Sequence, residues 1–370
     1  MTVIESPLQN NLDVENRVTA VSKTRRYDVD WLRTIALGLL IIYHTTISFQ
    51  PWAPLIGFPA NTESLEWLWI GMALLNVWRI PLLFIISGMG VRFAMERRDW
   101  KALLKDRTVR ILIPLVFGAF VIVPIYIYFI FQFFELDWHY YPDPGHLWFL
   151  ANIFIYVLLL MPIFYLFKNR PDNFVVRGLS KLLRWPGALL LVALPLMLEA
   201  WLVNPEPFAA YAMTAHGFLY GLICFALGFL FITLQDVFWT AVKRIRWVAL
   251  IIAFALYMVR FLMFKFEGSP NVLTALESAC WMLAIIGFAS LYLNKPSALL
   301  SYLSEAVYPV YIIHMPILFV LLYVLIPLDL SAIAKFGILL VGTFGLSMLT
   351  YKLVLKRIKW IRPLLGMKLK

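Results

Sequence analysis

Ten apolar stretches, at residues 31–50, 67–95, 111–134, 147–167, 187–203, 211–234, 247–266, 273–293, 306–326 and 333–355, constrain this chain more than any other feature. Each approaches or exceeds the roughly 20 residues that a helix needs to cross the hydrocarbon of a bilayer. The reading is an all-α polytopic membrane protein with about ten transmembrane helices. Composition agrees, since 62% of the 370 residues are hydrophobic and only 14% charged, against about 25% charged in ordinary soluble domains. No soluble domain fits between the stretches, because domains begin near 50 residues and the connections are shorter.

Basic residues fall in alternate connections. They precede the first stretch (Arg17, Lys23, Arg25, Arg26), separate the second from the third (Arg97 to Arg110), follow the fourth (Lys168 to Arg184) and the sixth (Lys243, Arg244, Arg246), and recur at Lys295 and from Lys352 to Lys370. Connections 51–66, 135–146 and 204–210 contain no Lys or Arg. By the positive-inside rule this alternation predicts cytoplasmic termini, with Lys265 and Lys335 as exceptions. It also absorbs most of the formal net charge of +11, which leaves no reason to invoke nucleic acid. Residues 1–24 are polar, lack the pattern of a signal peptide, and read as a disordered cytoplasmic segment; residues 25–370 read as one transmembrane domain. Cys224 and Cys280 fall in apolar stretches, so they read as packing residues and imply neither a disulfide framework nor a metal cluster.

Ionisable side chains inside such stretches are expensive and point to function or to a buried partner. The first stretch carries Arg33 near its start and His44 well inside it. Eleven residues at about 100° each come to roughly three turns, so both side chains share a face about 16 Å apart along the axis. His44 could serve as a general base toward a hydroxyl or as a structural histidine bonded to another helix. Asp30 can pair with Arg33 three residues on. Arg79 lies near the middle of the second stretch, in Arg79-Ile-Pro81, where the proline predicts two helical pieces. Its guanidinium needs a buried acid such as Glu199 or Glu277, or an anionic ligand. Arg107 and Arg110 share a helix face, a spacing that suits phosphate oxygens and equally suits topology and anionic lipid; Arg97 and Arg98 precede them in the same connection. His146 opens the fourth stretch beside Trp148, and His314 lies in the ninth; each alone reads as a hydrogen-bonded structural histidine. Trp148, Glu199, His216 and Glu277 could face an outer cleft. Metal-ligand spacings, nucleotide-binding glycine loops and nucleophile elbows are not found.

Five elements occur in order: Asp30-Trp-Leu-Arg33 with His44 beyond it, Arg79-Ile-Pro-Leu-Leu-Phe-Ile-Ile-Ser87-Gly88, Arg107-x-x-Arg110-Ile-x-x-Pro114, His146-Leu-Trp148-Phe-Leu, and Tyr308-Pro-Val-Tyr311-Ile-Ile-His314. Together they resemble the acyltransferase-3 family of ten-span membrane enzymes, and within it the branch of glucan-biosynthesis protein C. The resemblance implies a multi-pass protein of the bacterial inner membrane. It would move an acyl group, acetyl or succinyl, from cytoplasmic acyl-coenzyme A to a hydroxyl of an extracytoplasmic carbohydrate or related acceptor, with no metal. It also implies that His44 matches the family's essential histidine and Arg33 its companion, and that Arg107 and Arg110, with Arg97 and Arg98 nearby, meet the donor's phosphates. Arg79, Ser87, His146, Trp148, His314 and Glu277 stand as candidate substrate residues without assigned roles. General-base catalysis by His44 and an acyl-histidine intermediate are both open. A transporter or flippase of a glycan or lipid-linked precursor is the alternative reading of the same charged groups. Neither the acceptor nor the oligomeric state follows from the residues.

Overall fold

The computed structural model describes residues 25–367, so the reading of residues 1–24 lies outside the described residues. All regular structure among the described residues is helical. The helices are α1 (Tyr27–Ile47), α2 (Leu68–Asn76), α3 (Arg79–Met95), α4 (Trp100–Phe133), α5 (Trp148–Asn169), α6 (Phe174–Leu182), α7 (Ala193–Val203), α8 (Ala215–Thr233), α9 (Asp236–Phe264), α10 (Asn271–Tyr292), α11 (Ala298–Leu325) and α12 (Ala332–Thr350). Two wider turns, Thr108–Leu112 and Gly118–Ile122, interrupt α4.

Among the described residues, eight helical segments are long and apolar enough to cross a membrane, against the ten stretches of the sequence. The difference lies in the first and fifth. Helix α1 has the length, at 21 residues, but Asp28, Asp30, Arg33 and His44 dilute its hydropathy. The fifth stretch is the short Ala188–Val203, a 3-10 turn running into α7. Both are packed within the bundle, α1 on α10, α11 and α12, and α7 on α8 and α10. Their polar groups therefore have protein neighbours to face, which is the condition for tolerating them at membrane depth.

Side-chain ties between connections sort them into two ends. At one end the Tyr27 N–H donates to Asn294 Oδ1 at 3.1 Å, Lys168 Nζ to the Arg98 carbonyl at 2.9 Å, and Arg244 to the Arg184 carbonyl at 3.3 Å. At the other, Lys335 Nζ donates to Asn61 Oδ1 at 3.2 Å, the Ala332 N–H to Glu63 Oε2 at 3.1 Å, and the Asn271 amide to Asn204 Oδ1 at 2.9 Å. The basic connections share the first end and the connections free of Lys and Arg share the second. Lys335, an exception to the alternation, is buried and ties connection 51–66 to the start of α12.

Proline shapes the bundle through the carbonyls it deprives of a donor. The second stretch breaks at Val77–Trp78, and Pro81 falls in the first turn of α3, where a missing N–H does least harm. The Val77 carbonyl, four residues before it, instead accepts from Ser278 Oγ at 2.6 Å and Tyr211 OH at 3.1 Å. Pro124 deprives Phe120 in the same way, and Tyr140 OH donates there at 2.9 Å. Such replacement is what admits proline to membrane helices, because an unpaired carbonyl in hydrocarbon costs several kcal/mol. Helices α3 and α8 meet at their backbones. A Cβ on Gly88 would stand 1.9 Å from the Phe225 carbonyl oxygen, and one on Gly228 1.9 Å from that of Ile85, so only glycine permits this approach. Arg79 and Ser87 are carried on the helix so placed.

Candidate active site

A cavity of about 800 Å³ lies within the bundle, and its lining extends from the basic end to the opposite one. Arg25, Arg33, Arg107, Arg110 and Arg362 line its basic end. Tyr43, His44, Arg79 and Ser87 line its middle, and His146, Trp148, Ala209 and Ala212 complete it beyond. Ala209 and Ala212 belong to the connection between α7 and α8, at the end where Asn204 and Asn271 meet. Helix α1 supplies one continuous stripe, Asp30, Arg33, Leu37, Leu40 and His44, spaced three or four residues apart so that each lies about one turn above the last on one face. The shared face of Arg33 and His44 expected from their spacing is therefore the cavity face.

At the basic mouth, carboxylates hold the arginines in place. Asp30 pairs with Arg25 at 2.7 Å and with Arg33 at 3.7 Å. Asp106 stands 3.0 Å from Arg110, 3.3 Å from Arg107 and 3.4 Å from Arg98. The arginines at the cavity number more than these acids can neutralise, which leaves the mouth positive. Arg97 is exposed and Arg98 turns to Asp106 and the Ala94 carbonyl, and neither lines the cavity. Phase decides this: Arg107 and Arg110 lie on the inward face of α4, whereas Arg97 and Arg98 precede that helix.

Arg79 is fully buried, with its guanidinium carbon 4.3 Å from the centroid of the Tyr43 ring. Its Nη1 reaches the Leu39 carbonyl at 3.5 Å, and its Nε has no hydrogen-bond partner among the described residues. Neither acid suggested by the sequence is its counterion. Glu199 meets His216 Nδ1 through both carboxylate oxygens at 3.0 Å, and Glu277 is gripped by Arg260 at 2.8 and 2.9 Å. Both acids, and His216, lie off the cavity wall, and Glu277 is paired with Arg260 instead. Among the described residues no carboxylate pairs with Arg79. Cation–π contact with Tyr43 offsets part of its burial, by about 2 kcal/mol when desolvated. Ser87 lines the cavity while its Oγ donates to the Leu83 carbonyl at 2.7 Å.

Three histidines converge above the arginines. His44 is half-buried on the cavity wall, and its Nδ1 lies 3.0 Å from Nε2 of His314. His314 is fully buried behind it and does not line the cavity. His146 does line it, and its Nε2 lies 3.1 Å from the Ile312 carbonyl and 3.2 Å from that of Tyr311. Gly145 allows this placement: a Cβ there would stand 1.9 Å from Tyr126 OH, and its φ of +47° is one that side chains resist. Among the described residues no group of three or more His, Cys, Asp or Glu side chains is arranged to hold a metal ion.

Several lining residues had no separate standing in the sequence. Tyr308 and Tyr311 sat within a quoted element without a role, and Tyr43 adjoins His44 yet read as ordinary helix. Arg25 and Arg362 counted only toward topology, although each lines the basic mouth. The folding back of the C-terminal segment, which brings Arg362 there, has no local sequence signal.

A family profile described as an acyltransferase domain, acyltransferase-3, matches residues 26–352. No curated protein and no solved structure matches the chain. The profile runs from the start of α1 through α12 and so takes in every helix that lines the cavity. The chain belongs to the acyltransferase-3 family and is a multi-pass membrane acyltransferase.

Proposed function

We propose that the protein transfers an acyl group, acetyl or succinyl, from acyl-coenzyme A at its basic end to a hydroxyl of a carbohydrate or related acceptor at the opposite end. The basic end is then the cytoplasmic face of a bacterial inner membrane, with both termini on that side. The observation that carries this reading is the cavity, which joins a mouth of arginines to His44 and continues past it. A coenzyme A thioester cannot cross hydrocarbon, because its phosphates would lose their hydration. In this reading they stay at the mouth among Arg33, Arg107 and Arg110, and the thin pantetheine arm reaches about 16 Å along α1. The thioester carbon then lies beside His44. Nε2 of His44 takes the proton of the acceptor hydroxyl as that oxygen bonds to the carbonyl carbon. The carbon–sulfur bond breaks, and the departing thiolate takes the proton from the His44 imidazolium. Attack by Nε2 itself, giving an acyl-histidine, uses the same placement and would leave labelled acyl group on the enzyme when acceptor is withheld.

The direct test is acceptor-dependent release of free coenzyme A by purified protein in vesicles. Movement of a glycan across the vesicle without that release would favour the transport reading instead.

The arginine mouth has a distinct signature. Replacing Arg107 and Arg110 together by Ala is expected to raise the KM for acyl-coenzyme A about tenfold or more at low salt, since a hydrogen bond to a charged group is worth about 1.5–3 kcal/mol. Wild-type KM should climb with salt, and that of the double variant should climb less, because the screened contacts are gone. Unchanged donor dependence would return both residues to topology.

Arg79 suits an anionic group inside the cavity, and a succinyl thioester ends in a carboxylate while an acetyl thioester does not. Arg79→Gln is expected to lower succinyl transfer about tenfold more than acetyl transfer, the loss of one charge-assisted contact. Competition between the two donors on wild type and variant measures this, and equal losses would argue against the assignment.

A further inference from the structure

Directly behind His44 lies a polar line through His314 to the Tyr311 carbonyl. His314 Nδ1 is 2.7 Å from the Tyr311 carbonyl oxygen, and its Nε2 is 3.0 Å from Nδ1 of His44. A carbonyl oxygen only accepts, so Nδ1 of His314 bears the hydrogen and donates it. In a neutral imidazole the other nitrogen is then bare, and Nε2 of His314 accepts from Nδ1–H of His44. By the same rule Nε2 of His44 is left bare, on the one ring of the pair that lines the cavity. The two rings lie within 7° of parallel, with centroids 5.3 Å apart.

The turn of α11 that supplies the carbonyl is itself pinned. Pro316 has no N–H, so the Ile312 carbonyl four residues earlier lacks its helical donor. His146 Nε2 approaches that oxygen and the neighbouring Tyr311 oxygen, while Tyr311 OH donates to the His146 carbonyl at 2.5 Å. The start of α5 and the Tyr311 turn of α11 are thus latched to each other on both sides of the His314 bond.

We infer that His314 is a positioning residue which, through the line from the Tyr311 carbonyl, holds His44 in the tautomer whose bare Nε2 faces the cavity. The inference rests on the acyl-transfer reading above and deepens it, because it states how His44 comes to present a bare nitrogen while His314 behind it does not. It also gives the imidazolium somewhere to share its charge: once Nε2 is protonated, the bond from Nδ1 to His314 becomes charge-assisted.

The test compares His314→Phe with His314→Gln in purified protein, measuring acceptor-dependent release of coenzyme A. Phenylalanine fills the space and breaks the line. Glutamine can accept from His44 through its amide oxygen and donate to the Tyr311 carbonyl through its amide N–H, so it restores both bonds. We expect kcat to fall about 10–100-fold in the Phe variant, the usual scale for losing a group that orients a functional histidine. KM for donor and acceptor should hold, and the Gln variant should recover most of the rate. Undiminished kcat in His314→Phe, equal losses in the Phe and Gln variants, or a change confined to KM would each overturn the inference. A parallel His44→Ala separates the two levels: if that variant keeps its activity the base assignment itself fails, whereas if it is inactive while His314→Phe is normal, only the positioning role fails.

Discussion

His44→Ala is expected to remove acyl transfer, lowering kcat by about 10²–10⁴, the range contributed by a positioned general base. Insertion and folding should survive. The imidazole is half-buried, faces an existing cavity, and among the described residues is hydrogen-bonded to the side chain of His314 alone, so its loss enlarges that cavity without stranding a charge. His314 keeps its stronger tie to the Tyr311 carbonyl at 2.7 Å. Coenzyme A release in vesicles, alongside thermal unfolding in detergent, distinguishes the chemical from the structural effect. Near-normal transfer by the variant would end the assignment.

Glu277→Ala is expected to do the reverse, lowering stability by about 3–5 kcal/mol while leaving transfer per folded molecule close to wild type. That is the usual cost of removing one member of a buried ion pair, and it arises from the charge left behind. Here the stranded group would be Arg260, which is buried and gives two of its nitrogens to the Glu277 carboxylate and one hydrogen bond, at 2.8 Å, to the Ala73 carbonyl of α2. The pair thus ties α9, α10 and the piece of the second stretch ahead of its break. Thermal unfolding measures the loss, and replacing both residues by Met should recover part of it, since an apolar pair of similar volume leaves no bare charge. A fall in kcat with stability unchanged would instead put Glu277 in the reaction.

The contrast between these residues marks how far the sequence could be read. Apolar length and alternating basic connections were enough for the all-helical bundle and its two ends. The periodicity of a single helix was enough to put Arg33 and His44 on one face. What a helix faces is another matter. His44 and His314 are 270 residues apart, and no pattern along either helix says that their rings meet. Glu199 and Glu277 were equal candidates to neutralise Arg79, because length and hydropathy do not reveal which apolar helices are neighbours; His216 and Arg260 hold them instead. Arg97, Arg98, Arg107 and Arg110 look alike as a basic run, and what separates them is that Arg107 and Arg110 lie on the cavity face of α4 while Arg97 and Arg98 fall before that helix begins. Counting spans by hydropathy penalises α1 for the very residues that line the cavity.

The proline-freed carbonyls suggest how helices so uniform in composition find one arrangement. Lipid tails are as apolar as leucine, so sliding one apolar helix along another changes the solvation of its side chains little. A carbonyl left bare by proline breaks that degeneracy, because only a hydroxyl or imidazole at the matching height can answer it. Val77 answered by Tyr211 and Ser278, Phe120 by Tyr140, and Ile312 by His146 are three such notches cut in different helices. The first and third act as a vernier, setting the vertical register of α3 and α11 against their neighbours, while the second ties α4 to the connection that follows it, and the third sets its register at the height where His44 stands.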